Sequence, residues 1–250
     1  MGNTVTTAET PSSPPPLDHP YYPIDAKIVG YLANTLSVPV LLCCFAGACV
    51  GIFGVTLLII RGSGRKQLSK TDLATVLWFV LCGFLHLFFE GYFVLNHTSM
   101  GSRQDLFGQL WKEYSYSDSR YLTSDPFVLC MEAITAFLWG PLSFLAASLI
   151  ASNHPLRHPL QALVSLGQLY GDVLYYATSM FDLYYKGLSY CRPESYYFWG
   201  YYFSLNFFWI VLPSILLYNS ISQSARAFKA LDKMSKTLQA QGNGSIKKSI

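Results

Sequence analysis

The run Leu81-Cys82-Gly83-Phe84-Leu85-His86-Leu87-Phe88-Phe89-Glu90-Gly91-Tyr92-Phe93 decides how this chain is read. It is almost continuously apolar, with one histidine and one glutamate set into it. The two are four residues apart, so on a helix they share one face, about one turn apart. Ionisable side chains are expensive to place in hydrocarbon. They usually face a bundle interior or a cavity, which makes them functional candidates by default.

Around this run the composition is that of a membrane protein. Of 250 residues, 52% are hydrophobic and 12% charged, about half the charged fraction of a soluble domain. Several apolar runs exceed the ~18–20 residues needed to cross a bilayer. The expected fold class is an all-α membrane protein, with five transmembrane helices in a single bundle enclosing an intramembrane cavity. The spans are expected at 28–60 (one helix plus an overhang), 73–95, 127–148, 160–181 and 197–217. Residues 1–27 read as a polar, Pro-rich tail without the pattern of a cleavable signal peptide. The transmembrane domain is expected over 28–219, and a basic tail over 220–250. The connector of roughly thirty residues after the second span is long and aromatic, so it is expected to cap the bundle. The six cysteines have neither zinc-ligand nor C-x-x-C spacing and read as small apolar fillers. A formal charge of +3, with basic residues beside apolar runs, argues against nucleic acid and leaves membrane lipid as the surrounding partner.

Charge asymmetry gives an orientation. The 61–72 loop, the 152–159 turn and the C-terminal tail together hold 11 Lys and Arg, against 6 in the remaining segments. The first set is expected in the cytosol, which puts the N terminus in the lumen and the C terminus in the cytosol. Lys247-Lys248-Ser249-Ile250 resembles the dilysine signal that returns membrane proteins to the endoplasmic reticulum. Asn96-His97-Thr98 is a glycosylation sequon on the expected lumenal side, close enough to the membrane edge that poor use is expected.

Polar residues in the spans agree in depth. At 1.5 Å per residue, Glu90 and Glu132 each lie about 8 Å from the lumenal end of their spans. His86, Asn206 and Asp172 lie at about 14 Å and Trp209 at about 18 Å. Four helices thus bring polar groups to one layer. Each residue also has a structural reading. His86 could bond a backbone carbonyl, Thr135 its own helix, and Asn206 a neighbouring helix. Asp172 lies in the small and polar stretch Gly167-Gln168-Leu169-Tyr170-Gly171-Asp172, where close helix packing competes with a substrate contact. The two glutamates are harder to read as structure, since a carboxylate in hydrocarbon costs several kcal/mol unless protonated or paired.

An acid kept protonated by burial, a second carboxylate and histidine to take or relay the proton, and an indole face for a passing cation fit intramembrane proton transfer on a lipid. Di-iron oxygenase chemistry fits poorly, because only His86 of the five histidines lies well inside a span. No Gly-x-Ser-x-Gly, P-loop or dinucleotide fingerprint is present, and no cofactor or metal is expected.

Seven stretches over about residues 70–217 resemble the emopamil-binding protein family, the sterol Δ8–Δ7 isomerases of the endoplasmic reticulum. They are the run around His86, Gln109-Leu110-Trp111-Lys112-Glu113-Tyr114, Asp118-Ser119-Arg120-Tyr121, Cys130-Met131-Glu132-Ala133-Ile134-Thr135, Leu138-Trp139-Gly140-Pro141-Leu142, His154-Pro155-Leu156-Arg157, and Gly167 to Tyr175. The resemblance implies protonation of a Δ8-sterol at C9, a carbocation at C8, and loss of a proton from C7. It implies a functional set of His86, Glu90, Glu132, Thr135, Asn206 and Trp209. Of these His86, Glu90, Glu132 and Asn206 are expected to be catalytic and Thr135 and Trp209 to contact substrate, and Asp172, Tyr114 and Tyr121 are added here as expected substrate contacts. On this expectation Glu132 and His86 give and take the proton, Glu90 and Asn206 orient them and offset charge, and Trp209 presents its face to the cation. Lipophilic amines are expected inhibitors, since an ammonium imitates the carbocation, and a homodimer is an expected assembly. The rival is a non-catalytic sterol-binding or trafficking protein of the sigma-2-receptor type. Retention of His86 with both glutamates favours the enzyme.

Overall fold

The structure, a computed structural model, describes residues 19–62 and 68–247, with side chains through 239. Most of the expected tail, the centre of the 61–72 loop, the Lys248 half of the dilysine signal and the last two residues lie outside the described residues.

Among the described residues every regular element is a helix. We label them α1 (Val38–Gly62), α2 (Lys70–Ser102), α3 (Leu106–Tyr114), α4 (Pro126–Ala151), α5 (Arg157–Lys186) and α6 (197–247). A short 3-10 turn, Ser119–Tyr121, lies between α3 and α4. By length and composition α1, α2, α4 and α6 can each cross a membrane. Helix α5 has 30 residues, about 45 Å at 1.5 Å per residue, but is too polar to qualify on composition. Its polar side chains Gln161, Ser165, Gln168, Asp172 and Ser179 are buried along it.

The boundaries follow local chemistry. Helix α2 begins after Ser69, whose hydroxyl accepts the Asp72 N–H at 3.0 Å. Helix α4 begins with Pro126 after Asp125, whose carboxylate accepts the Val128 N–H at 3.0 Å. Helix α5 stops at Gly187, where φ is +66°, a left-handed value that glycine adopts at little cost.

The structure gives definite form to three expected segments. Within the 28–60 stretch the helix starts at Val38 and leaves the residues before it as the overhang, because Pro39 belongs in a first turn and cannot sit in a helix interior. This overhang packs on the connector: Leu32 N–H donates to Gly101 O at 2.9 Å, and Gln109 Oε1 accepts from the N–H groups of Thr35 and Leu36, both at 2.8 Å. The tail is ordered before residue 27, since Tyr21 is buried and donates to Lys112 O at 3.0 Å. The basic segment after 220 continues α6 as helix to Lys247, as its Ala, Leu, Lys and Met content favours.

The connector is the cap that its length and aromatic content foretell. Helix α3 buries Gln109 to Glu113, and the Trp111 indole N–H donates to Phe89 O at 3.0 Å. The core beneath it is aromatic, with Trp111 stacked between Phe89 and Tyr121 at centroid distances of 4.6 Å each. Helix α1 contrasts with this, burying only Leu41 and Thr56 and leaving a crevice of about 960 Å³ against α2 and α4.

Local departures from α geometry mark the centre. Leu85–Glu90 in α2, Thr135–Trp139 in α4 and Tyr197–Phe203 at the start of α6 are π turns. Such turns cluster at functional sites, because an extra residue per turn re-aims side chains. The first two pack against one another. Gly140 permits it: a Cβ there would stand 3.0 Å from Leu87 N. Gly167 similarly gives way to the Trp139 indole, which would lie 2.5 Å from an added Cβ.

Candidate active site

A cavity of about 440 Å³ opens where the α2 and α4 π turns, α5, α6 and the cap converge. All nine residues singled out from the sequence border it. Its wall is mostly aromatic and aliphatic, and its volume lies in the usual range for small-molecule sites.

The π turn in α2 carries both His86 and Glu90. His86 is 0% exposed. Its Nδ1 lies 2.9 Å from Glu90 Oε1 and 2.8 Å from Oε2, so one ring nitrogen faces the whole carboxyl group. Its Nε2 lies 3.0 Å from Gln168 Nε2 on α5. Both nitrogens are therefore engaged, and the ring borders the cavity through its carbon edge, with the Trp209 ring edge-on at 6.0 Å.

Glu132 projects from α4, one turn before its π segment, and lines the same cavity as Glu90. The Tyr121 hydroxyl donates to Glu132 Oε1 at 2.6 Å. Tyr114, from the same cap, accepts from Asn206 Nδ2 at 2.9 Å and lies 3.3 Å from the Tyr175 hydroxyl. Burial pushes the Tyr114 and Tyr121 phenols well above the ordinary tyrosine value, and the Glu132 charge adds to this at Tyr121. Both remain hydroxyl groups at neutral pH. Asp172 is 6% exposed and its Oδ2 has no hydrogen-bond partner among the described residues.

Some expected residues are only partly available. Thr135 gives its hydroxyl to Met131 O at 2.9 Å, the self-bonding that threonine adopts inside helices. Asn206 also spends an N–H on Tyr202 O at 2.7 Å, so it ties α6 to the cap. Trp209 packs edge-on against Trp78 at 4.7 Å while facing the cavity. Gln168 is the residue that the sequence reading passed over, although it lies in the quoted α5 stretch. Its position one turn before Asp172, on the same helix face, is the signal that could have found it.

Comparison with known proteins then assigns the chain. Residues 106–220 match the signature of EXPERA, the expanded EBP superfamily. The 3-beta-hydroxysteroid-Delta(8),Delta(7)-isomerase of Cavia porcellus is 39% identical over 228 residues, covering 90% of this chain and 96% of that protein. The probable 3-beta-hydroxysteroid-Delta(8),Delta(7)-isomerase of Oryza sativa subsp. japonica is 34% identical over 215 residues, 86% of this chain and 95% of that one. Protoglabretal synthase MOI1 of Citrus sinensis is 34% identical over 159 residues, 63% of this chain and 72% of that one. With similarity that spans 90% of the chain, the chain belongs to the EXPERA family, the expanded EBP superfamily.

Proposed function

We propose that this protein is a sterol isomerase of sterol biosynthesis that moves a C8=C9 double bond to C7=C8. A proton adds to C9, the π electrons leave a carbocation at C8, and loss of the C7 proton forms the new double bond. The observation that carries this reading is a pair of carboxyl groups, Glu90 and Glu132, from two helices in the wall of one apolar cavity. Two such groups cannot both be ionised in a dry site, so the pair shares one proton and can both give and take one.

Glu132 and Glu90 exchange protons with substrate in this reading. The Tyr121 hydroxyl steadies Glu132, and His86 steadies Glu90. This moves the second acid-base role from His86, the expectation drawn from the resemblance, to Glu90, because both His86 nitrogens are already bonded. The Trp209 face and the remaining carboxylate charge stabilise the C8 cation, which is also how a lipophilic ammonium would inhibit. Tyr114 and Asn206 hold the cap and α6 against the substrate, and Thr135 supplies shape. Asp172 offers its unpartnered oxygen to the substrate's polar end.

Helix α5 forms the fifth span of the bundle, with its polar face toward the other helices and the cavity. The N terminus is lumenal, the C terminus cytosolic, and the membrane that of the endoplasmic reticulum. A second reading keeps the machinery and changes the substrate to another polycyclic terpenoid. The similarity to Protoglabretal synthase MOI1 favours it, over a smaller share of both chains.

Complementation tests the enzyme reading. Expression in cells lacking sterol Δ8–Δ7 isomerase should restore Δ7-sterols, and Glu132→Gln should not. Failure of the wild-type chain would remove the sterol assignment, and rescue by Glu132→Gln would remove Glu132 from proton exchange.

A further inference from the structure

We propose that Gln168 is a positioning residue for this reaction: its amide holds His86 in the neutral form protonated on Nδ1, and so aims that proton at Glu90. The inference rests on the isomerase reading and adds to it the residue that sets the histidine's tautomer.

The argument begins with donor and acceptor types. Gln168 is 4% exposed, and its Nε2 lies 3.0 Å from His86 Nε2. A carboxamide nitrogen donates and does not accept. His86 Nε2 must then be the acceptor and carry no proton. The ring proton of the neutral imidazole is left to Nδ1, which lies 2.9 and 2.8 Å from the two Glu90 oxygens. These near-equal distances are what one N–H centred on a carboxylate produces. A carboxylic O–H donating to Nδ1 would bring one oxygen close and leave the other further away.

The reverse arrangement, with the amide turned over, puts Gln168 Oε1 on a protonated Nε2 and asks Glu90 to donate. That conflicts with the two-oxygen geometry at Nδ1. The ionisable groups that line the cavity with His86 are Glu90 on α2, Glu132 on α4 and Asp172 on α5. The Gln168 N–H on Nε2 and the Glu90 oxygens on Nδ1 together place the ring proton on Nδ1.

The test is the tautomer itself. The purified full-length protein, labelled with 15N-histidine, is compared with a His86→Gln variant that identifies the His86 signals. The expected spectrum has a protonated Nδ1 and a bare Nε2. The near-isosteric Gln168→Glu, whose carboxylate accepts where the amide donates, should move proton density to Nε2, and Gln168→Leu should leave it on Nδ1. Each should lower kcat for a Δ8-sterol by about ten- to a hundredfold, the effect of one lost buried hydrogen bond, with KM changed less than about twofold. A wild-type spectrum with protonated Nε2, or wild-type kcat in Gln168→Glu, overturns the proposal. If Gln168→Leu fails to fold, the wild-type and Gln168→Glu spectra still decide. The spectra need no turnover, so a wild-type protein with the expected tautomer and no Δ8-sterol conversion would refute the isomerase reading and leave the tautomer assignment standing.

Discussion

Two groups of buried charges lie close together in this molecule and are built on opposite plans. In the cap, Arg120 and Asp118 are 1% and 0% exposed and satisfy each other completely. Arg120 Nε donates to both Asp118 oxygens at 3.0 Å, Nη2 to one of them at 2.6 Å, and Nη1 to the Thr178 hydroxyl at 3.0 Å. The guanidinium also covers the Tyr175 ring at 4.8 Å. In the cavity wall the balance is left open. Of Glu90, Glu132 and Asp172, Glu90 pairs with His86, and among the described residues Asp172 Oδ2 and Gln168 Oε1 have no hydrogen-bond partner. A buried charge that holds structure is neutralised on every side. A buried charge that does chemistry keeps an open side toward a cavity, at a cost in stability that the cap helps to offset.

Four substitutions should separate the two plans. Glu132→Gln should have the largest effect on turnover, a loss of about 10²–10⁴ in kcat, the range for a general acid or base, with thermal unfolding in detergent nearly unchanged. Intact kcat would place Glu132 with the structural charges. Arg120→Leu should do the reverse and cost about 3–5 kcal/mol of stability, because Asp118 is left buried and alone. The double change Asp118→Leu with Arg120→Met should recover most of that loss. No recovery would mean that the cap needs the charges themselves. Tyr121→Phe removes one buried hydrogen bond to Glu132 and should lower kcat about tenfold, equal to roughly 1.4 kcal/mol, with the fold intact. An unaffected rate would detach the cap from the chemistry. The smallest effect is expected from Asp172→Asn, with stability within about 1 kcal/mol and KM raised a few-fold. A loss of several kcal/mol would make Asp172 a structural residue like Asp118.

How far the sequence reaches depends on how expensive each residue is. His86, Glu90 and Glu132 stand out because an ionisable group in an apolar run demands a reason, and helical rise is enough to predict that they meet. Asp172 and Asn206 follow from the same depth argument. Gln168 does not stand out, because an uncharged amide on a polar helix has many ordinary uses. The polar face of α5 is legible as helix, but its burial is a property of the neighbours that cover it. The π turns that aim His86, Glu90 and Thr135 arise from contacts between helices and leave no periodicity to read. The connector's role as a cap was foreseeable from its length and aromatic content, whereas its bonds from Tyr121 to Glu132 and from Asn206 to Tyr114 were not. The start of α1 at Val38 and the continuation of α6 past the expected span share a cause. Apolar content outlines where a chain can cross a bilayer, but Pro39 and the helix-forming residues after 220 decide where helix begins and stops.

The central claim is that buried carboxyl groups exchange protons with a Δ8-sterol inside the cavity. Turnover of a Δ8-sterol by the purified protein in heavy water tests it most directly. The account predicts a Δ7-sterol carrying one deuterium at C9. Absence of conversion, or conversion with only hydrogen at C9, would contradict it.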